Sequence, residues 1–251
     1  MKKKLLSAPT FESFVIALRA WRLLLIAGLI GALIGAAVYQ LWPPPYRAMA
    51  RVVVDQNLEQ ALPEAPDREV FYFLERETQK LEDLAWSDEV MAQVMAKVEF
   101  TNITQLRDGK LQLSQPGDGG WRMYGIDPLQ ANARALAVAW SDSFTDSVHN
   151  AVMAALELEA VKNEMAGLQD NTSEETQKKR LRLEEKATEL EDLSRGIHPA
   201  VQVSRSQKKD IAAERVSSMG AYILAAALSA LFLTILFQTF SEKLSGSTIE
   251  D

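Results

Sequence analysis

The chain of 251 residues contains no cysteine. That removes disulfides, thiolate nucleophiles and cysteine metal sites together. Histidine is nearly as scarce: the only two are His149 and His198, and neither has a partner at ligand spacing, so the three or four converging ligands of a metal centre are not there to be read. No G-x-x-x-x-G-K-[ST] offers a phosphate-cradling loop, and no G-x-S-x-G offers a nucleophile elbow. Carboxylates are common but alternate with cations, as in Glu174-Glu175 before Lys178-Lys179, or Glu184-Glu185 between Arg182 and Lys186. Such runs dress a solvated helix and do not make the apolar pocket of a glycosidase pair. A formal net charge of -7 argues against a nucleic-acid partner. The reading is of a non-enzyme, with no catalytic, cofactor-binding or metal residue assigned.

Charge is also missing from two long stretches. After Arg22 nothing charged appears before Trp42, and Gly220 to Phe240 has no charge at all. At about 1.5 Å per residue each is long enough to cross a hydrocarbon core of ~30 Å. Two crossings leave one domain, 43–219, on the far side, between a leader (1–21) and a tail (241–251). Lys2, Lys3, Lys4, Arg19 and Arg22 against Glu12 place the N-terminus in the cytoplasm, and the C-terminus follows. Near the second helix Arg205, Lys208, Lys209 and Arg215 outnumber Lys243, so that end votes the other way; the N-terminal bias is the larger. A cleaved signal peptide is the rival for the first stretch, with Ala48-Met49-Ala50 as its site, but the apolar run exceeds the usual core of about 7 to 15 residues.

Between the membrane stretches the pattern is mixed. Phe11, Phe14, Val15 and Leu18 give the leader an amphipathic stripe, and Gly31 and Gly35 form a G-x-x-x-G step open to a neighbouring helix. Tyr46 to Asp55 reads as a first strand, then Pro63 and Pro66 mark a loop. Helix is expected over 68–99, with Leu74, Thr78, Leu81 and Ala85 on one face, a break at Trp86 with Ser87 as N-cap, and Val90, Met91, Val94, Met95 and Val98 resuming the stripe. Leu111–Ser114 and Trp121–Ile126 bracket a Pro-Gly-Asp-Gly turn and read as a hairpin. Asp127 and Pro128 are placed as cap and first residue of a long helix.

From Ala154 the apolar positions Leu158, Val161, Met165 and Leu168 recur at coiled-coil spacing. A Thr172–Glu175 capping box starts a return helix with Leu183, Ala187 and Leu190 inward, so the arm is an antiparallel hairpin over about 128–195. The return helix is the shorter, and a strand from Ala200 to Ile211 is expected to cover the remaining distance. The fold class expected is an α+β membrane protein: two transmembrane helices flanking an extracytoplasmic domain with a small membrane-proximal α/β base and a long helical arm. Trp42, Tyr46 and Arg47 are placed to meet headgroups, and Trp121 and Tyr124 could stack on sugar or fill a core.

The order of these parts resembles the polysaccharide co-polymerases, the Wzz-type chain-length determinants. F-E-S-F-V-I-A-L-R-A-W-R before the first membrane helix and P-P-P-Y-R-A-M-A-R-V-V-V after it look like that family's opening; 77–90 is similar to its first helix, and Ile126-Asp127-Pro128-Leu129-Gln130-Ala131 to the step that starts its long helix. The family's proline-rich segment before the second membrane helix has no counterpart in 204–218. The resemblance implies a homo-oligomeric ring in the bacterial inner membrane, working with a glycan polymerase and a lipid-linked glycan to set the length of O-antigen, capsule or exopolysaccharide. A separate cytoplasmic tyrosine kinase is a further partner it allows. From the residues alone, a two-pass sensor or a helical-hairpin adaptor with a separate cytoplasmic partner remains the alternative.

Overall fold

The computed structural model describes residues 21–64, 66–98, 102–115, 120–168, 174–205 and 211–246. The leader stripe, the hairpin turn, Thr172 of the capping box and the chain end lie outside them. In order the elements are α1 (Trp21–Leu41), β1 (Tyr46–Gln56), α2 (Asp67–Ala85), α3 (Asp88–Val98), β2 (Leu111–Ser114), β3 (Gly120–Asp127), α4 (Gln130–Gly167), α5 (Glu174–Ser194), β4 (Val201–Arg205), β5 (Ala213–Arg215) and α6 (Met219–Gly246). One-turn helices at Leu58–Ala61 and Ile103–Gln105, the latter continued by a wide turn to Lys110, join the longer pieces. The chain divides into two compact units, 1–44 with 215–251, and 45–214.

The first unit holds two helices long and apolar enough to cross a membrane, α1 and the part of α6 from Met219 to Gln238. They run antiparallel, and glycine sets their contact. A Cβ on Gly31 would lie 2.6 Å from the Ala226 carbonyl oxygen and 2.7 Å from the Ala230 Cβ; one on Gly35 would lie 2.9 Å from the Ala226 Cβ. Gly31 and Gly35 are the buried residues of α1, so the glycine step packs on the second apolar helix of the same chain. Above it, Tyr39 meets Tyr222 edge-on at 5.5 Å, and Arg215 stands 5.4 Å over the Tyr39 ring while donating to the Pro44 carbonyl at 3.2 Å. Helix α6 continues to Gly246, six residues beyond the expected end of the span at Phe240, because nothing in Ser241-Glu242-Lys243-Leu244-Ser245 breaks a helix.

The second unit is built on a sheet in the order β2-β3-β1-β4, with β5 also on β1. β1 is antiparallel to β3, with Val52 opposite Trp121 and Ala48 opposite Gly125, and to β4, with Val54 opposite Val203. Alternation along β1 buries Ala48, Ala50 and Val52, and α4 lies on that face. It comes so close at Gly125 that a Cβ there would meet the Ala133 carbonyl oxygen, with Ala137 N at 2.6 Å. No larger residue fits beneath the helix. The other face carries Arg47, Met49, Arg51, Arg122 and Tyr124, none of them buried.

Helix α4 has two halves. As far as Ala151 it is enclosed on several sides: Phe144 stacks on Trp121 at 5.5 Å, and Trp140 lies 4.7 Å from Trp86 and donates Nε1–H to the Ala85 carbonyl at 2.9 Å. Fully burying rings of this size contributes about 2 to 3 kcal/mol each. Beyond that point Ala154, Leu158 and Val161 pack against Ala187 and Leu190 of α5, with Met165 and Leu183 alongside, as the heptad spacing requires.

Several boundaries differ from those expected. The projecting pair is shorter than 128–195, since the first half of α4 belongs to the sheet's core; this accounts for the short return helix. β4 is a sheet strand paired with β1 as far as Arg205, and most of the remainder of the strand expected up to Ile211, residues 206–210, lies outside the described residues. Asp127 does not cap: the helix begins at Gln130 after an extended Leu129, and the Asp127 carboxylate instead accepts the Leu129 N–H at 2.9 Å. The buried face of α2 is Phe73, Glu77, Leu81, Leu84 and Ala85: Leu81 and Ala85 are the expected positions, and nearer the N-terminal end Phe73 and Glu77 are buried in place of the expected Leu74 and Thr78. Ser87 does cap α3, accepting the Val90 N–H at 3.3 Å.

Candidate functional site

The turn between α5 and β4 is the most constrained place in the second unit. Arg195 and Gly196 both take positive φ, 52° and 67°, to reverse the chain. Gly196 suits that conformation; Arg195 does not, and its guanidinium is tied to Glu89 at 2.7 Å. Ser194 Oγ accepts the Gly196 N–H at 3.3 Å, and Lys80 Nζ donates to the Gly196 carbonyl.

Beneath the turn sits Glu77, only 1% exposed although charged. Its Oε1 accepts from Lys80 Nζ at 2.7 Å, and its Oε2 accepts the backbone N–H of His198 at 3.1 Å. A buried carboxylate is tolerable when both oxygens are satisfied in this way. The His198 ring stands edge-on to Phe73 at 5.4 Å, and its Nδ1 accepts the Ala200 N–H at 3.1 Å. That bond fixes the neutral tautomer, with the proton on Nε2.

A groove of about 450 Å³ opens beside this turn. Its apolar floor is Ala155, Leu158, Ile197 and Pro199; its polar rim is Gln60, Glu159, Lys162, Glu191 and His198. Elsewhere on the hairpin, charges pair across the arms, Glu157 with Lys186 at 2.6 Å and Glu164 with Lys179 at 2.7 Å. Glu159, Lys162 and Glu191 have no ion-pair partner among the described residues.

A second charged node holds the start of α4. Asp127 is 5% exposed and accepts from Lys110 Nζ at 2.7 Å. Burial pushes its carboxyl up, but the Lys110 ammonium, the Leu129 N–H and Asn132 together hold it below its ordinary value. Arg205 on β4 reaches Asp142 on α4, tying the strand to the helix that covers it.

The residues singled out in the sequence fall in different places. Trp121 is core, pressed against Phe144, so it is not a sugar platform. Tyr124 lies on the open sheet face with the Arg47 guanidinium 4.9 Å from its ring centroid. Tyr46 packs partly into the core, and Trp42 is 71% exposed after α1. His149 lines a separate cavity of about 280 Å³ with Val152 and Val201, and His198 lines the groove, so the structure does not bring the two together. Among the described residues no three His, Cys, Asp or Glu converge to hold a metal. Glu77 was legible in principle: Phe73, Glu77, Leu81 and Leu84 fall at helical spacing, which puts one carboxylate in an apolar stripe.

No protein-family model matches the chain, and no curated protein matches it either.

Proposed function

We propose that this protein is a non-enzymatic, two-pass regulator of polysaccharide chain length or export in the bacterial inner membrane, assembled as a homo-oligomeric ring. Both termini lie in the cytoplasm, and the unit from β1 to β5 lies outside it, facing a glycan polymerase and its lipid-linked glycan. A separate cytoplasmic kinase is compatible with this arrangement. The observation that carries the reading is the order of parts: an apolar helix runs straight into the first strand of a one-sided sheet, a long helix crosses that sheet and continues into a helical hairpin, and the chain returns to a second apolar helix packed on the first. The motifs that resemble the Wzz-type proteins sit at the joints of this order, P-P-P-Y before β1 and Asp127-Pro128 between β3 and α4. A hairpin adaptor would have no use for the sheet.

The test is a clean deletion read by the length distribution of surface polysaccharide, together with particle imaging of the purified full-length protein in lipid. A shifted distribution and a closed ring are expected. An unchanged distribution in every polymer the cell makes, or a monomer at native abundance, sinks the proposal.

A further inference from the structure

We infer that the groove at the root of the helical hairpin is a saccharide-binding site, in which Glu159 and Glu191 accept hydroxyl protons, His198 Nε2–H and Lys162 donate, and Leu158, Ile197 and Pro199 carry a sugar's C–H face. The inference rests on the proposed role in glycan assembly for its choice of ligand, but its argument is chemical.

A saccharide both donates and accepts hydrogen bonds around an apolar ring, so its site needs both kinds of group above an apolar floor. The groove has them at a volume, about 450 Å³, within the range that small-molecule sites occupy. Its donor is preorganised. Because Nδ1 of His198 is committed to the Ala200 N–H, Nε2 must carry the proton, and the ring is held by Phe73 and by the backbone bond from His198 to Glu77. Its acceptors are not spent on neighbours: Glu159 and Glu191 make no ion pair among the described residues. Two carboxylates against one ammonium disfavour a phosphate or nucleotide, and a metal would need a third converging ligand that the described residues do not supply. With no Trp, Tyr or Phe in the lining, the site lacks a stacking platform, which suits weak contact with a polymer that must slide past rather than stay.

The experiment uses the full-length protein in lipid nanodiscs, since maltoside detergents are themselves sugars. Two probes are titrated by saturation-transfer NMR: oligosaccharides released from the producing cell's own surface polymer, and maltotetraose as a neutral reference. The wild type is expected to bind the native oligosaccharides, and the double variant Glu159→Gln, Glu191→Gln to bind at least tenfold more weakly with unchanged thermal unfolding. His198→Asn removes the Nε2 donor while its own Oδ1 can still accept the Ala200 N–H, and it should lose a similar factor without loosening the turn by hydrogen exchange.

Equal binding by wild type and both variants overturns the site, as does no saturation transfer from either probe or transfer from maltotetraose alone. If binding fails while deletion still shifts polymer length, the groove is wrong and the regulatory role stands; specific binding without a length phenotype leaves the groove and removes that role.

Discussion

Glu77 and Asp127 are carboxylates almost out of contact with water, each held by a lysine and a backbone N–H, with Asn132 a further partner of Asp127. Their value to the fold lies in position. Glu77 fixes the turn before β4, and Asp127 fixes the chain before α4. Replacing Glu77 by Leu strands the His198 N–H and takes from Lys80 Nζ its carboxylate, leaving it the Gly196 carbonyl, and should cost about 3 kcal/mol, whereas Gln keeps a carbonyl acceptor and should cost about half as much. Urea unfolding of the two variants checks that order, and equal losses would mean that the pocket is repacked. Asp127 adds a pH signature. Its folded pKa is lowered, so its contribution is fully present above the ordinary value of 3.8 and is lost as pH falls through the folded value. Asp127→Asn should therefore be less stable than wild type by about 2 kcal/mol at neutral pH, with the gap closing below about pH 4. A gap that persists once Asp127 is itself protonated in the folded protein would assign the loss to packing.

Among the elements, the helix pairs were the most legible. The spacing of Leu158 and Val161 against Ala187 and Leu190 named the hairpin contact from sequence, because these positions recur at intervals of three and four along each arm. The length of the arm was not legible: Leu136, Trp140 and Phe144 are apolar because the first half of α4 lies in the core of the sheet and of α2 and α3, and periodicity does not say whether a helix faces a sheet or another helix. The groove was out of reach altogether, since Gln60, Glu159 and His198 meet only after the turn has been made. The glycine step was read, and the structure supplies its partner. The absence of cysteine makes that partner testable without background. A Cβ on Gly28 lies 3.7 Å from Leu231 Cγ, close to where a cysteine sulfur at 231 would sit. The pair Gly28→Cys, Leu231→Cys should oxidise to a disulfide within one chain, and adding Gly31→Val should abolish it, because the new side chain collides with the Ala226 carbonyl and Ala230. Cross-linking that survives Gly31→Val would mean that the helices do not depend on this contact.

For the molecule as a whole, one covalent fact links the two units: α1 ends at Leu41 and β1 begins at Tyr46, so at most about 18 Å of extended chain separates helix from sheet. α6 likewise begins at Met219, shortly after β5 ends at Arg215. If both apolar helices cross the bilayer, the intervening unit has a single side available, and its whole surface must react together toward an impermeant reagent. Single cysteines at Glu175 on the return helix and at Gln202 on β4, both exposed, report that side; one at Ser7 reports the leader. In cells with a permeabilised outer envelope and an intact inner membrane, a charged maleimide should label Glu175→Cys and Gln202→Cys and should reach Ser7→Cys only after lysis. The physical reason is the basic bias of the leader, where Lys2, Lys3, Lys4, Arg19 and Arg22 resist translocation while Glu12 offers little opposition. Labelling of Ser7→Cys together with the other two would mean that neither helix separates the leader from the sheet, and the reverse pattern would put the groove in the cytoplasm, away from any exported polymer.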